Sequence, residues 1–187
     1  MKSWRICIDA NLWIDYIERK VGGERSKELI QMLTHIDSPH RIVIPSILYL
    51  EIMYKIVDIR KENYLISEGY SSSDLKSFDG KKIKFETKLP KNEWRNINRI
   101  FRNLRNSEKT EICKQPFAFK KVELLIKEGF ALMDSIIIVQ ATNCRIDYFV
   151  TRDAVVRKIN QIKQDWLQFK ALTANGVIRM LTGSGGK

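Results

Sequence analysis

The chain has 187 residues, of which 44% are apolar and 10% are aromatic, and this composition predicts one folded domain and excludes a disordered chain. No apolar run approaches the ~18 residues that a membrane-spanning helix needs, and charges at positions 5 and 9 come too early for a signal peptide, so we expect a cytoplasmic protein. The 33 Lys and Arg outnumber the 22 Asp and Glu, and the net charge of +11 favours a polyanionic partner.

The three cysteines are Cys7, Cys113 and Cys144. Their number is odd and no C-x-x-C spacing occurs, so we expect neither a disulfide framework nor a zinc site. Cys7 and Cys144 lie in apolar segments and are predicted to fill the core of a protein from a reducing compartment.

Apolar strands alternate with helices in the first third of the chain. Strands are predicted at 4–9 and 41–44, and helices at 11–20, 24–36 and from 45 to about 60. The Gly22-Gly23 pair separates the first two helices, and Pro45-Ser46 is typical of a helix start. This alternation predicts a parallel sheet covered by helices on both faces.

Residues 61–115 interrupt that alternation and are predicted to be a basic, partly helical insertion. Within them we expect a short strand or ordered loop at 81–87 and a helix from 90 to about 113. Between Lys81 and Lys121 there are 13 Lys or Arg and four acids, a net charge of +9.

One arc of the predicted helix is basic and faces away from its apolar arc. An ordinary solvated helix face accounts for this pattern about as well as a surface that follows the phosphates of a nucleic acid. The proposed nucleic-acid-binding residues are Arg95, Arg99, Arg102, Arg105 and Lys109.

The last third of the chain returns to alternating strands and helices. Helices are predicted at 116–128, 134–143, 154–162 and 173–181, and strands at 147–151 and 166–172. Residues 183–187, Gly-Ser-Gly-Gly-Lys, are predicted to be a flexible tail.

Four acids stand at or near the ends of these predicted elements: Asp9, Glu51, Asp134 and Asp153. The carboxyl ends of parallel strands gather at one edge of a sheet, so these side chains are expected to converge there. Carboxylates held close together repel unless they share a proton or bind a cation. An all-oxygen site suits Mg²⁺ or Mn²⁺.

Each acid also has a structural explanation. Asp9, Asp134 and Asp153 fit helix caps or first-turn acids that the helix dipole favours. Glu51 fits a solvated helix position, and Asp15 is expected at the surface. Neither of the two histidines, at 35 and 40, stands in a catalytic motif, so no role is assigned to them.

Four short motifs together resemble those of the PIN domain. They are Asp9-Ala10-Asn11, Glu51 shortly after Ile-Pro-Ser, Asp134-Ser135, and Thr151-Arg152-Asp153. The resemblance covers residues 4–181 apart from 61–115. It implies an α/β fold of three layers, α/β/α, around a central parallel sheet of four or five strands, in one domain spanning 1–182.

The same resemblance implies an endoribonuclease that depends on Mg²⁺ or Mn²⁺ and hydrolyses RNA with metal-activated water. Asp9 and Asp134 would be the main metal ligands, with Glu51 and Asp153 completing the catalytic pocket. Asn11 and Thr151 would orient the carboxylates or water from behind. Many members are toxins of toxin–antitoxin pairs, so the expected partners are single-stranded or structured RNA, an antitoxin protein and a second copy of the chain.

Two other classes of function compete with this interpretation. One is a nucleic-acid- or partner-binding module whose PIN-like site is inactive. The other is a phosphatase of a different α/β family, which the sequence disfavours because Asn11 stands where that chemistry needs a second aspartate. The large predicted insertion is also unlike compact toxins of the resembled family.

Overall fold

A five-stranded parallel sheet organises the molecule. The computed structural model describes residues 3–183, except for the side chain of Asp153. Within them the strand order is β3-β2-β1-β4-β5, and every neighbouring pair is parallel. The strands are β1 Arg5–Ile8, β2 Arg41–Pro45, β3 Thr110–Cys113, β4 Tyr148–Val150 and β5 Lys170–Leu172. This confirms the predicted parallel sheet.

Helices surround the sheet in the described residues. They are α1 Ala10–Ile17, α2 Glu24–Thr34, α3 Ser46–Ser67, α4 Phe78–Glu86, α5 Lys91–Asn106, α6 Phe119–Lys127, α7 Leu132–Asn143, α8 Asp153–Asn160 and α9 Ala174–Thr182. Successive side chains of a strand point to opposite faces of the sheet. Ile6, Cys7 and Ile8 of β1 are all fully buried, so both faces are covered, as the alternating pattern predicted.

The segment between α3 and β3 differs from its prediction. Residues 81–87 were expected to form a strand or loop, but 78–86 form α4, which Ser77 caps by accepting a hydrogen bond from the backbone N–H of Gly80. Gly80 is required there, because a Cβ atom would lie 2.0 Å from the carbonyl oxygen of Asp74. The helix predicted from 90 to 113 ends at Asn106, so that prediction is wrong over its last residues.

The end of the predicted insertion belongs to the central sheet. Thr110 to Cys113 pair with β2 as the edge strand β3, so the boundary expected at 115 falls beyond a strand of the core. Ile97 and Phe101 of α5 are buried in the main hydrophobic cluster. The basic helix is therefore packed into the domain, while the status of the preceding residues as an insertion stays a prediction.

Helices α3 and α5 run antiparallel. Tyr49, near the start of α3, packs edge-on against Phe101 at 5.2 Å between ring centroids. Further along α3, Arg60 lies 3.6 Å from Glu93 in the first turn of α5. The helix predicted to end near residue 60 continues to Ser67, so its predicted end is corrected.

A disulfide joins the edge strand to helix α7. Cys113, the last residue of β3, is bonded to Cys144, which follows α7, with 6.0 Å between their Cα atoms. The expectation that the cysteines form no disulfide is therefore wrong, because a spacing of 31 residues gave no sign that these two ends meet in space. Cys7 is buried and free, as predicted.

None of the helices within residues 3–183 is long and apolar enough to cross a membrane. The tail predicted at 183–187 lies outside the described residues except for Gly183, which ends α9 in a left-handed conformation with φ of 69°.

Candidate active site

Asp9 and Thr151 directly follow two neighbouring strands of the sheet, β1 and β4. Strands β1 and β4 are neighbours in register, with Ile8 opposite Val150, so the residue after each strand lies at the same edge. The Asp9 backbone N–H donates to the carbonyl oxygen of Val150 at 2.9 Å. The Thr151 hydroxyl donates to Oδ2 of Asp9 at 2.7 Å, and Thr151 is buried.

Asp9 occupies the N-cap position of α1, but its side chain makes no capping hydrogen bond there. Capping of α1 therefore does not account for an aspartate at this position. Its carboxylate is instead held by Thr151 at the carboxyl edge of the sheet, where ligands of parallel α/β folds bind.

Asp134 lies in the first turn of α7, within electrostatic reach of Asp9. Partial burial raises the pKa of the Asp134 carboxyl, and the negative charge of Asp9 raises it further, although more than a third of Asp134 is exposed. The ammonium groups of Lys55 and Lys158 act in the opposite direction. Asp134 is thus placed between a repelling carboxylate and two cations.

Glu51 lies in the second turn of α3 and has two unlike oxygens. Oε1 is 2.7 Å from Nζ of Lys55, one turn further along the helix. Oε2 is buried and has no hydrogen-bond partner, and the whole side chain is only 14% exposed. This burial argues against the alternative of a solvated helix residue.

Asp153 is the first residue of α8, two residues after Thr151. Its backbone therefore follows the same strand, β4, at the same edge as Asp9. The N-cap of α8 is Arg152, so Asp153 is not the capping residue. The predicted metal-binding role of Asp153 falls on a side chain outside the described part of the structure.

Two clefts open beside these acids and share Asp15, Lys20 and Arg152. The smaller, of about 170 Å³, also contains Asn11 and Lys55. The larger, of about 720 Å³, runs past Thr151 and is lined by the residues Leu12, Asp15, Lys20, Val21, Gly22, Arg25, Ser26, Thr151, Arg152, Ala154, Thr173, Ala174 and Asn175.

Asp15 lies at the junction of the clefts, where Arg152 approaches its Oδ2 at 3.5 Å. Its side chain is 15% exposed, so it is less of a surface residue than the sequence suggested. Lys55 and Arg152 also line these clefts, although the sequence patterns predicted no role for them. The available signals were the spacing of four from Glu51 to Lys55 and the position of Arg152 inside the Thr151-Arg152-Asp153 motif.

The model of the PIN domain matches residues 6–162. The chain belongs to the PIN-domain family. Members of this family are generally nucleases. No curated protein matches the chain.

One solved structure that resembles this PIN domain is "VapBC2 from Rickettsia felis bound to a DNA fragment from their promoter". The two chains are 13% identical, with a TM-score of 0.49. The match covers 90% of this PIN domain and 98% of the other chain.

The basic face of helix α5 in this PIN domain is exposed, but its predicted last member is not part of it. Arg95, Arg99, Arg102 and Arg105 are all exposed on α5. Lys109 lies after α5, and its Nζ donates to the carbonyl oxygen of Ser38 at 2.6 Å. Because Lys109 directly precedes β3 of a parallel sheet, it lies at the amino-terminal edge, opposite Asp9.

Whether the PIN-domain site fits a divalent cation can be judged from its own atoms. Among the described side chains, which omit that of Asp153, no three His, Cys, Asp or Glu residues are grouped closely enough to hold a metal ion as they stand. Two features nevertheless fit a cation. Asp9 and Asp134 repel each other, and Oε2 of Glu51 is buried without a partner. A hard cation would relieve both with oxygen ligands.

Proposed function

We propose that this PIN domain is an endoribonuclease that depends on Mg²⁺ or Mn²⁺. The observation that carries the proposal is the approach of Asp9, after β1, to Asp134, at the start of α7, close enough for one charge to raise the pKa of the other. Two carboxylates held this close repel each other, and a cation bound between them makes the same arrangement favourable. Membership of a family of nucleases supports the same class of reaction.

The proposed roles follow from the place of each residue in the fold. Asp9 and Asp134 hold the metal, and Glu51 and Asp153 complete the pocket. Thr151 fixes the rotamer of Asp9 by its hydrogen bond, and Asn11 lines the adjoining cleft. The bound cation would activate water and stabilise charge on the phosphate during hydrolysis.

RNA is proposed to enter along the two clefts that meet at Arg152. The shared lining residues Lys20 and Arg152, and Arg25 in the larger cleft, are cations placed beside Thr151. A backbone carrying one negative charge per nucleotide would follow such a path. The exposed arginines of α5 form a second basic surface that is also proposed to contact RNA.

The proposal is tested by incubating labelled single-stranded RNA and DNA with the purified protein and Mg²⁺, Mn²⁺ or EDTA. The double variant Asp9→Asn/Asp134→Asn is the matched control. We expect the native protein to cleave RNA only with metal, and the variant to leave both nucleic acids intact. Salt-sensitive RNA binding by both proteins without cleavage by either would instead favour a binding module with an inactive site.

A second proposal, which the resemblance to the PIN-domain family suggests, is that a protein antitoxin binds this chain. Leu50 and Tyr54, on either side of Glu51 along α3, are 51% and 71% exposed, and a protein partner would cover them. If the protein is a toxin, expression of the native chain arrests bacterial growth and expression of Asp134→Ala does not. Unchanged growth with active, soluble native protein would contradict the toxin proposal.

A further inference from the structure

We propose that Lys55 makes metal binding depend on RNA binding. In the free protein its ammonium pairs with the carboxylate of Glu51 and repels the metal. With RNA bound, the same ammonium pairs with a backbone phosphate. This inference rests on the proposed function, because it assumes that Glu51 and Asp134 face a divalent cation.

Lys55 contacts one carboxylate of the acidic site and acts electrostatically on a second. Its Nζ lies 2.7 Å from Oε1 of Glu51 on the same helix, and its charge also acts on the carboxylate of Asp134, which belongs to α7. Lys55 further lines the smaller cleft together with Asn11 and Arg152. It is therefore placed where the acids, the cleft and an incoming phosphate would meet.

The contact between Lys55 and Glu51 differs from an ordinary pair of opposite charges one turn apart on a helix. Such pairs are usually exposed and contribute little to stability. Here the Glu51 side chain is 14% exposed and the Lys55 side chain 35% exposed. Only one oxygen of Glu51 is paired with the Lys55 ammonium, while the other is buried without a hydrogen-bond partner. One oxygen of the Glu51 carboxylate is therefore still available to a second cation.

The coupling follows from simple electrostatics. A divalent ion that binds Glu51 or Asp134 is repelled by the single positive charge of Lys55, so the free protein binds metal weakly. A bound phosphate supplies negative charge to Lys55 and removes much of that repulsion. Because the coupling is reciprocal, metal must then strengthen RNA binding by the same factor.

The test is the affinity for Mn²⁺, measured from the electron paramagnetic resonance signal of free Mn²⁺ with and without a short single-stranded RNA. Native protein is compared with Lys55→Met, Lys55→Arg and Lys61→Met. Lys61 is the matched control, because it lies on the same helix and its Nζ donates to the carbonyl oxygen of Phe85. The RNA carries phosphorothioate linkages, which keep the backbone charge and resist hydrolysis, and gel electrophoresis checks that it is intact after each measurement.

Without RNA, Lys55→Met is expected to bind Mn²⁺ about tenfold more tightly than the native protein, since a unit charge near the ion is removed. RNA should tighten the binding of Mn²⁺ to the native protein, to Lys55→Arg and to Lys61→Met. It should tighten the binding of Mn²⁺ to Lys55→Met much less. Thermal unfolding of each metal-free protein checks that the variants are folded.

Four results would overturn the inference. If Lys55→Met binds Mn²⁺ as the native protein does, or if RNA tightens Mn²⁺ binding equally in both, Lys55 has only a structural role, and the proposed nuclease stands. If Lys61→Met behaves like Lys55→Met, the effect comes from net charge alone. If the native protein binds no Mn²⁺ with or without RNA, the proposed function fails together with the inference.

Discussion

The hydroxyl of Thr151 lies 2.7 Å from Oδ2 of Asp9, across 142 residues of sequence. Groups that orient metal-binding side chains from behind typically change metal affinity or activity 10–100-fold when removed. We therefore expect Thr151→Val, which keeps the shape but loses the hydroxyl, to cleave RNA about tenfold more slowly. Thr151→Ser should retain most of the activity.

Thr173 provides a matched control for this prediction. It follows the neighbouring strand β5, and its hydroxyl accepts from the backbone N–H of Gly176 to cap α9. Because Thr173 also lines the larger cleft, the variants are compared at saturating RNA, where Thr173→Val is expected to lower the unfolding temperature but to leave the cleavage rate per folded molecule unchanged. Equal losses of cleavage in the two valine variants would show that the Thr151 hydroxyl has no particular role in holding Asp9.

The strand pattern predicted that Asp9 lies at the edge of the sheet where the strands end, and the resemblance to the PIN domain implied that Thr151 orients the carboxylates or water. Both residues directly follow short apolar segments, and parallel strands place such residues at one edge. Lys55 was not predicted, because a lysine four residues after a glutamate is also the usual pattern of an exposed helix surface. Only the low exposure of Glu51 and the reach of Lys55 towards Asp134 set this pair apart.

Strand β3 and the disulfide were beyond the reach of the sequence for a related reason. Thr110 to Cys113 is a short segment that follows a strongly amphipathic helix, so helical periodicity extended over it. Its pairing with β2 and the bond from Cys113 to Cys144 depend on contacts between distant parts of the chain. Local propensity and spacing carry no information about such contacts.

The pKa of Asp134 predicts a trade-off between stability and metal binding. Burial and the charge of Asp9 raise this pKa in the folded protein, so the folded state holds the proton more tightly than the unfolded state. Stability is therefore lost as the pH rises from the ordinary aspartate pKa through the raised one. In EDTA at neutral pH, we expect Asp134→Asn to increase the free energy of unfolding, by less than about 1 kcal/mol because the group is partly exposed.

The gain should vanish below the ordinary pKa of aspartate, where both states of the native protein are protonated. Urea unfolding at a series of pH values measures this dependence. Asp165→Asn, on the exposed surface, is the control and should show no such gain. A destabilised Asp134→Asn at neutral pH would mean that the Asp134 carboxylate is favourable in the metal-free fold.

The bond between Cys113 and Cys144 closes a loop that carries α6 and all of α7, including Asp134. Loop-closure entropy predicts that its reduction lowers the free energy of unfolding by about 3–4 kcal/mol. In denaturant, thiol titration should find one free thiol before reduction and three afterwards, since Cys7 is free. Three free thiols before reduction would show that the purified protein lacks this bond.

Arg5 and Glu111 connect the central strand β1 to the edge strand β3 across β2. Two guanidinium N–H groups of Arg5 donate to the Glu111 carboxylate at 2.7 and 3.0 Å. This hydrogen bonding lowers the pKa of Glu111, so the pair stabilises the fold above the ordinary glutamate pKa. The contribution is lost as the pH falls through the lowered pKa.

Glu111→Gln is therefore expected to lower the free energy of unfolding by up to about 1 kcal/mol at neutral pH, a modest value because both side chains are about one-third exposed. The native and variant proteins should become equally stable in acid. A loss that is the same at all pH values would point to packing of the side chain and not to its charge.

The two basic surfaces can be separated by their effect on RNA binding and on its dependence on salt. One variant changes Lys20, Arg25 and Arg152, which line the clefts, to Gln; the other changes Arg95, Arg99 and Arg102 of α5 to Glu. Each lost phosphate contact on a single strand should reduce the slope of log affinity against log salt by about 0.7. Binding is measured with EDTA, so that cleavage does not interfere.

We expect the cleft variant to lose both RNA affinity and cleavage, since its residues adjoin Thr151 and Asp15. The α5 variant should lose affinity and slope but cleave normally at saturating RNA, because its arginines lie on a helix outside both clefts. Unchanged affinity and slope in the α5 variant would identify its basic arc as an ordinary solvated helix face. Unchanged binding in the cleft variant would contradict the proposed path of RNA past Arg152.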